Sequence, residues 1–323
     1  MRFGYSPLAE VAESLQMIAL GRTGLLFRPW YLAVRDQLGR VDLELLNAIV
    51  PAKRFMADFL FAGVVDTATR IEDQLTIIAQ TPVDALRHEV EAVWQEEPVP
   101  PAARAVLDDP GGPGQLAEAL WEHWSVAVEP HWRSMRAVLD DDVAHRASEL
   151  TRRGFGAMLA GLHPSVSVIG DVLHIDKCSS IEEDLAGDGM TLVPSVFTWP
   201  TVIFCRGQWG PCSLTYAARG VANLWSHAKP SEATDDPLVA LLGRGRAAVL
   251  SCLALPMSTT ELALRLGLSA PAVSQHLGIL RRSGLATSWR SGRRVLYRRT
   301  ALADNIVLAS TAPQGTASDI PAR

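Results

Sequence analysis

The sequence predicts an α+β chain, mainly α. A helical N-terminal body with a small antiparallel sheet precedes a separate C-terminal unit of short helices closed by a β-hairpin. Three observations predict this. Apolar residues recur at helical spacing from Leu8 to Leu159. Between residues 163 and 218 the period shortens to two, and β-branched runs alternate with turn residues. The charge is also split. Arg244 to Arg299 holds ten basic residues and one acidic residue, Glu261, a net of +9, while the remainder of the chain carries −14. Such asymmetry marks two parts with different partners, and a small basic unit on an acidic body is the footprint of a nucleic-acid reader.

The 323 residues are 48% hydrophobic and 20% charged, enough for two or three domains with a sizeable core, which excludes a wholly disordered chain. Charges break every apolar stretch short of the roughly 18 residues that span a membrane. Met1 to Tyr5 leads straight into a helical pattern with no basic, apolar leader. The expectation is a soluble, cytoplasmic protein with no membrane partner. Four cysteines, Cys178, Cys205, Cys212 and Cys252, are too few and too scattered for a disulfide framework.

Leu8, Val11, Leu15 and Ile18 predict a first helix, started by Ser6-Pro7. Further helices are expected at Leu43–Ile49, Phe55–Val65, Arg70–Ala79 and Val83–Trp94. Glu96 to Gly114, with five prolines, three glycines and four acidic residues, reads as an exposed loop. Helices resume at Gln115–Val126, Trp132–Leu139 and Asp142–Leu159. Val166–Ile169 and Val172–Ile175 flank Gly170-Asp171, the signature of a tight hairpin. Met190–Phe197, Thr201–Cys205 and Cys212–Tyr216 read as three more strands, the last two joined by a hairpin loop at Arg206–Pro211. The division expected is a helical body over 1–162, a β-rich part over 163–228, a polar linker over 229–236, a C-terminal domain over 237–310 and a disordered tail over 311–323.

Met257 to Arg299 carries the chemistry. Ser258-Thr259-Thr260-Glu261 is a capping box, and the helix it starts buries Leu262 and Leu266 before Gly267 ends it. Ser269 caps a second helix with Pro271 in its first turn, where proline costs nothing. Val273, Leu277 and Leu280 fall at i, i+4 and i+7 and bury one face, leaving Ala272, Ser274, Gln275 and His276 on the other. Arg281 and Arg282 suit the negative end of the helix dipole. Two short helices joined by a glycine-containing turn form a helix-turn-helix, whose second helix enters the major groove. Two strands follow, around a tip of Arg290-Ser291-Gly292-Arg293. Small and polar side chains permit close approach to base edges, so Ala270, Ala272, Ser274, Gln275 and His276 are the candidates for base contacts. Ser258, Arg281, Arg290, Arg293 and Arg294 are the candidates for phosphate or minor-groove contacts.

These residues resemble the winged helix-turn-helix of ArsR-type bacterial transcription regulators, over Asp236 to Ser310, less than a quarter of the chain. The resemblance rests on Glu261-Leu262-Ala263, Leu268-Ser269, Val273-Ser274-Gln275-His276-Leu277, Leu280 and Gly284-Leu285. It implies preceding helices over Leu238–Leu253 and a C-terminal helix over Ala301–Leu308, with the outer helices forming a homodimer on a palindromic operator in double-stranded DNA. It also implies a repressor, whose N-terminal body takes a small-molecule effector or other signal. A DNA-tethered protein whose body recruits a partner is the alternative reading. Members that sense metals do so through cysteines in the reader's first helix or Asp and His in its last. Ser258–Leu266 has no cysteine, and Ala301–Ser310 has Asp304 but no histidine, so no metal sensing is expected at these places. The stretches SPLAEVAESL, LVPSVFTWP and YAARG resemble an N-terminal region that accompanies such readers in some bacterial regulators.

No catalytic constellation is read and no cofactor is expected. His145 and Glu149 lack the H-E-x-x-H pattern, and Gly111-Gly112-Pro113-Gly114 lacks the Lys-Ser/Thr of a phosphate loop. Gly-x-Ser-x-Gly is missing. Cys205 and Cys212 face each other across the expected hairpin, with Cys178 and His174 in reach of a metal or redox reading, but free cysteine also packs as a small hydrophobe. Trp94, Trp121, Trp124, Trp132, Trp30-Tyr31, Phe55, Phe59 and Phe61 read as either core or the lining of an apolar pocket.

Overall fold

The fold comes from a computed structural model, which describes residues 1–21, 26–52, 54–64, 66–95, 97–176, 182–185, 187, 189–198, 202–225, 237–254, 256–266, 268–291 and 294–311. The expected linker over 229–236, apart from its surroundings, and the expected tail beyond residue 311 lie outside these, as do Cys178 and Arg293. The chain divides into two compact units: Met1–Thr23 with Trp30–Leu224, and Gly24–Pro29 with Trp225–Arg323. The fold class is α+β, mainly α, as the periodicity predicts.

In the first unit, strand β1 (Arg2–Phe3) leads into helix α1 (Pro7–Ala19), then α2 (Arg28–Val34, which begins in the second unit) and α3 (Leu43–Ile49). Next come α4 (Ile71–Gln80), α5 (Val83–Val93), α6 (Pro101–Asp108) and α7 (Gly112–His123). A π-helical turn, Trp124–Val128, joins α7 to α8 (Glu129–Arg153), and α9 (Phe155–Ala160) follows. Ser6 caps α1 through its hydroxyl, which accepts from the Ala9 N–H at 3.1 Å, with Pro7 in the first turn. Leu8, Ala9, Val11, Ala12 and Leu15 are all buried, so α1 is a core helix rather than a surface stripe.

The helical expectations fail at three places for local reasons. The helix expected over Phe55–Val65 does not form among its described residues, 55–64; only Asp58–Phe61 winds, as a single 3-10 turn, although Phe59, Leu60 and Phe61 are buried. The loop read over 96–114 contains α6: Pro101 sits at the start of the helix, where its missing N–H costs nothing, and Ala103, Val106 and Leu107 bury one face. The break expected between Trp132–Leu139 and Asp142–Leu159 is absent, since α8 runs unbroken through Asp140-Asp141-Asp142 to Arg153; the break falls instead at Gly154, which separates α8 from α9. Asp142 tolerates full burial because it accepts from Tyr216 Oη at 2.8 Å and Arg219 N at 3.1 Å, with Arg146 Nε at 3.6 Å.

The sheet also departs from expectation. Strands β2 (Val166–Ile169) and β3 (Val172–Ile175) form their own antiparallel hairpin around Gly170, whose φ is 60°. Strands β4 (Thr191–Ser195), β5 (Ile203–Cys205) and β6 (Ser213–Ala217) join β1 in a separate mixed sheet of order β1-β4-β6-β5. β1 and β6 run parallel to β4, and only β5 is antiparallel to its neighbour. β5 pairs on the far side of β6, so the hairpin back through Arg206–Pro211 places β6 beside β4 in the same direction. The antiparallel character expected of the whole region therefore belongs to its two hairpins. Met158, Leu159, Leu162, Val166, Leu192, Val202, Leu214 and Tyr216 form a shared core beneath the sheets. A short helix α10 (Val221–Leu224) ends the unit.

The stretches SPLAEVAESL and LVPSVFTWP, far apart in sequence, meet in this unit. Glu10 accepts hydrogen bonds from Val196 N (2.8 Å), Phe197 N (3.3 Å) and Ser195 Oγ (3.1 Å) at the end of β4. The Thr198 hydroxyl donates to Glu13. Burial still pushes the Glu10 carboxyl up to about 7, because desolvation outweighs those three donors. One turn along α1, the Ser14 hydroxyl lies 2.9 Å from His123 Nε2, and burial pushes the His123 pKa down to about 3. Trp30 is fully buried, donates to the Ala127 carbonyl at 2.7 Å and stacks at 4.7 Å on Phe197. Trp30 and Trp124 are thus core, while Trp121 is 38% exposed. Among the described residues, no helix is long and apolar enough to cross a membrane.

Candidate nucleic-acid interface

The second unit builds its site on eight elements. Helices α11 (Pro237–Leu242) and α12 (Arg244–Cys252) precede β7 (Met257–Ser258), α13 (Thr259–Leu266) and α14 (Ala270–Arg282). Strands β8 (Ala286–Ser291) and β9 (Arg294–Arg299) follow, then α15 (Ala301–Thr311). The sheet order is β7-β9-β8, antiparallel throughout, so the hairpin is anchored to the strand that leads into α13.

The capping box forms as the sequence predicts. Ser258 Oγ accepts from Glu261 N at 3.3 Å, and the Glu261 carboxylate accepts from Ser258 N. Ser258 is only 9% exposed, so its hydroxyl is spent on the start of α13. Ser269 caps α14 by accepting from Ala272 N at 3.4 Å. Val273, Leu277 and Leu280 are buried, at 0%, 0% and 1% exposure, which fixes the opposite face of α14 outward. On that face Ala270, Ser274 and Gln275 are exposed, and Ala272 and His276 are half-buried. His276 rests against α12: a Cβ at Gly245 would lie 2.6 Å from its Nε2. The contact turns the imidazole toward the helix pair as well as outward, which the sequence pattern could not reveal.

Arg281 is exposed at the end of α14 and donates to Ser288 Oγ on β8 at 3.3 Å, joining the helix to the hairpin. Arg290 is exposed on β8. Arg294 is half exposed, 3.9 Å from Glu261 across the sheet. Arg298, exposed on β9 and on the same strand face as Arg294, is a basic residue that the contact candidates read from the sequence leave out. It carries the same signal as its neighbours, a cation in a strand with no acidic residue. Trp289, paired across the hairpin with Leu296, is 40% exposed. Apart from Ser258, buried at the start of α13, the described site residues fall on the outer face of α14 and on the hairpin, which Arg281 links.

A family model described as a helix-turn-helix domain matches residues 245–288. Residues 245–288 are a helix-turn-helix domain. The match runs from the second residue of α12 through the first half of β8, so the capping box, α13, α14 and Gly245 all fall inside it, and β9 and α15 follow it. In the first unit, residues 101–221 match a family of unknown function, DUF5937, from α6 to the start of α10. Among solved structures, reduced HlyU from Vibrio cholerae N16961 is 26% identical over 24% of this chain and 87% of that one, with a TM-score of 0.21. No curated protein matches the chain.

Cys205, on β5, is buried and pairs in register with Ser213; Cys212 is half-buried just before β6. His174 sits exposed in the separate β2–β3 hairpin. His145 lies 3.5 Å from Glu149 on α8. Among the described residues, no three His, Cys, Asp or Glu side chains converge as a metal site.

Proposed function

We propose that the chain is a DNA-binding transcription regulator, a repressor that acts as a homodimer on a roughly palindromic operator and is not an enzyme. The helix-turn-helix domain carries this reading: its capped second helix turns Ala270, Ser274 and Gln275 outward beside a hairpin rich in arginine. Ala270, Ala272, Ser274, Gln275 and His276 read bases, while Arg281, Arg290, Arg293 and Arg294 engage phosphates or the minor groove, and Ser258, expected among them, is buried and caps α13 instead. The exposed Leu241 of α11 and Leu302 of α15, 65% and 56% accessible, support a dimer through the outer helices. The first unit senses a small molecule or another signal in the cytoplasm and shifts operator affinity. A coupling of about 1–3 kcal/mol is enough to switch occupancy.

The test is fluorescence anisotropy of the purified chain on the duplex upstream of its own gene and on a scrambled duplex, across a salt series. The reading expects a preference of several kcal/mol for the native duplex, on the order of 4–10. The double variant Arg293→Ala/Arg294→Ala should lower the salt slope by about 2. Equal, salt-insensitive behaviour on both duplexes sinks it.

A further inference from the structure

The second unit contains a segment that the helix-turn-helix match does not cover. Gly24–Pro29 clusters with Trp225–Arg323, although its sequence neighbours on both sides belong to the first unit. Within the second unit, Phe27 is 4% exposed, and the Arg265 guanidinium of α13 lies 5.7 Å from its ring centroid. Arg265 is itself only 7% exposed and hydrogen-bonds the thiol of Cys252 on α12. Arg28 Nη1 donates to the Ser310 carbonyl of α15 at 3.1 Å. Two residues of this segment, Phe27 and Arg28, thus touch the first helix of the helix-turn-helix and the last helix of the unit.

The chemistry of the contact is specific. A guanidinium removed from water is costly unless its surroundings compensate the charge. The face of an aromatic ring does so through its quadrupole, and does so better when water is excluded. Phe27 supplies that face to Arg265, and Arg265 stands on the helix that orients α14.

We infer that Phe27 and Arg28 are positioning residues of the DNA reader: Phe27 holds α13 through Arg265, and Arg28 ties α15 through the Ser310 carbonyl. This rests on the DNA-binding reading above. The chain passes through the reader here before the rest of the first unit is complete in sequence. The reader as folded is therefore more than its contiguous C-terminal segment.

The test uses the full chain as wild type, Phe27→Ala, Phe27→Leu, Phe27→Trp and Arg28→Ala. One readout is the rate at which a soluble disulfide reagent labels Cys252, followed by peptide mass spectrometry, with Cys205 labelling as an internal check on global unfolding. The other is anisotropy on the upstream duplex. Phe27→Ala should label Cys252 about tenfold faster with Cys205 unchanged, because the contact opens locally. It should also weaken DNA binding by about threefold or more. Phe27→Trp, which keeps an aromatic face, should stay within about twofold of wild type in both. Phe27→Leu keeps bulk without that face and should follow alanine, and Arg28→Ala should weaken DNA binding. Wild-type behaviour of Phe27→Ala and Phe27→Leu in both readouts overturns the inference. Faster labelling of Cys205 together with Cys252 also overturns it, since the residue then supports the whole fold. A wild-type chain that binds neither duplex overturns the functional reading instead, while the Cys252 rates still decide whether Phe27 holds α13.

Discussion

Glu10 accepts a hydrogen bond from the backbone N–H of Val196 at 2.8 Å, and so fastens the first helix of the chain to the end of β4. The bond is formed inside the core, where Glu10 is 1% exposed. Its ionisation, and that of His123 on the same side of α1, make the stability of the first unit depend on pH in opposite directions.

Burial holds His123 at about 3, below the usual 6.5. Its folded state therefore binds a proton less readily than the unfolded chain, and stability present above pH 6.5 is lost as the pH falls toward 3. Glu10, raised to about 7 from 4.5, contributes stability that is full below pH 4.5 and is lost as the pH rises to 7. His123→Gln keeps a donor for Ser14 and removes the acid-side loss. The melting temperature of the variant should gain on wild type progressively as the pH drops from about 6.5 to 4.5. Parallel melting profiles for the two proteins would exclude a buried neutral His123.

Ser258 spends its hydroxyl on Glu261 N, so Ser258→Ala should cost the second unit about 1 kcal/mol of stability. Ser258→Thr should restore most of it. Denaturant melts read the cost, and DNA affinity measured beside them separates cap from contact. An affinity loss beyond the lost stability marks a phosphate contact, and an affinity loss that merely tracks stability marks a cap alone.

Gln275 is exposed on α14, midway in sequence between the buried Val273 and Leu277. On the reading proposed, Gln275→Ala relaxes preference at one base position by about 1–3 kcal/mol and leaves the salt slope unchanged. Arg290→Ala does the reverse: it weakens binding to all sequences and lowers the slope by about 0.9. A competition series with single-base variants of the duplex distinguishes them, and identical profiles for the two variants would defeat the assignment of roles.

Gly112 opens α7 in a space closed by the α6 backbone: a Cβ there would lie 1.7 Å from the Val106 carbonyl oxygen. Gly112→Ala forces the two helices apart and should cost the first unit about 3 kcal/mol or more. A thermal melt within about two degrees of wild type would mean that α6 yields more easily than its buried Ala103, Val106 and Leu107 imply.

The legible parts of this molecule are those whose signals are local. Leu43–Ile49, the Gly170 hairpin, the Ser258–Glu261 box and the buried stripe of α14 all fold where spacing and capping chemistry put them. Propensity misled where one residue type has two uses. Pro101 reads as a breaker and acts as a helix start, and Asp140-Asp141 read as an interruption although the helix runs through them to Asp142, which finds buried donors on β6 and at Arg219. The direction of β4 against β6 is set by where β5 pairs, a long-range choice that period-two alternation does not encode. β1 is two residues long and has no period at all. At the interface, the exposed face of α14 was readable, but the seat of His276 on Gly245 and the burial of Ser258 come from tertiary packing.

The approach of Gly245 to His276 has a consequence for how such a reader changes over evolutionary time. The position that would tune recognition also supports the packing of α12 on α14, so a substitution at 276 answers to two selective pressures at once. A side chain at Gly245 would meet the imidazole at 2.6 Å, so the imidazole would have to shift to admit it. On the DNA-binding reading proposed, a lineage acquiring a new operator would therefore change Ser274 and Gln275 first, and would change His276 only together with its packing on α12.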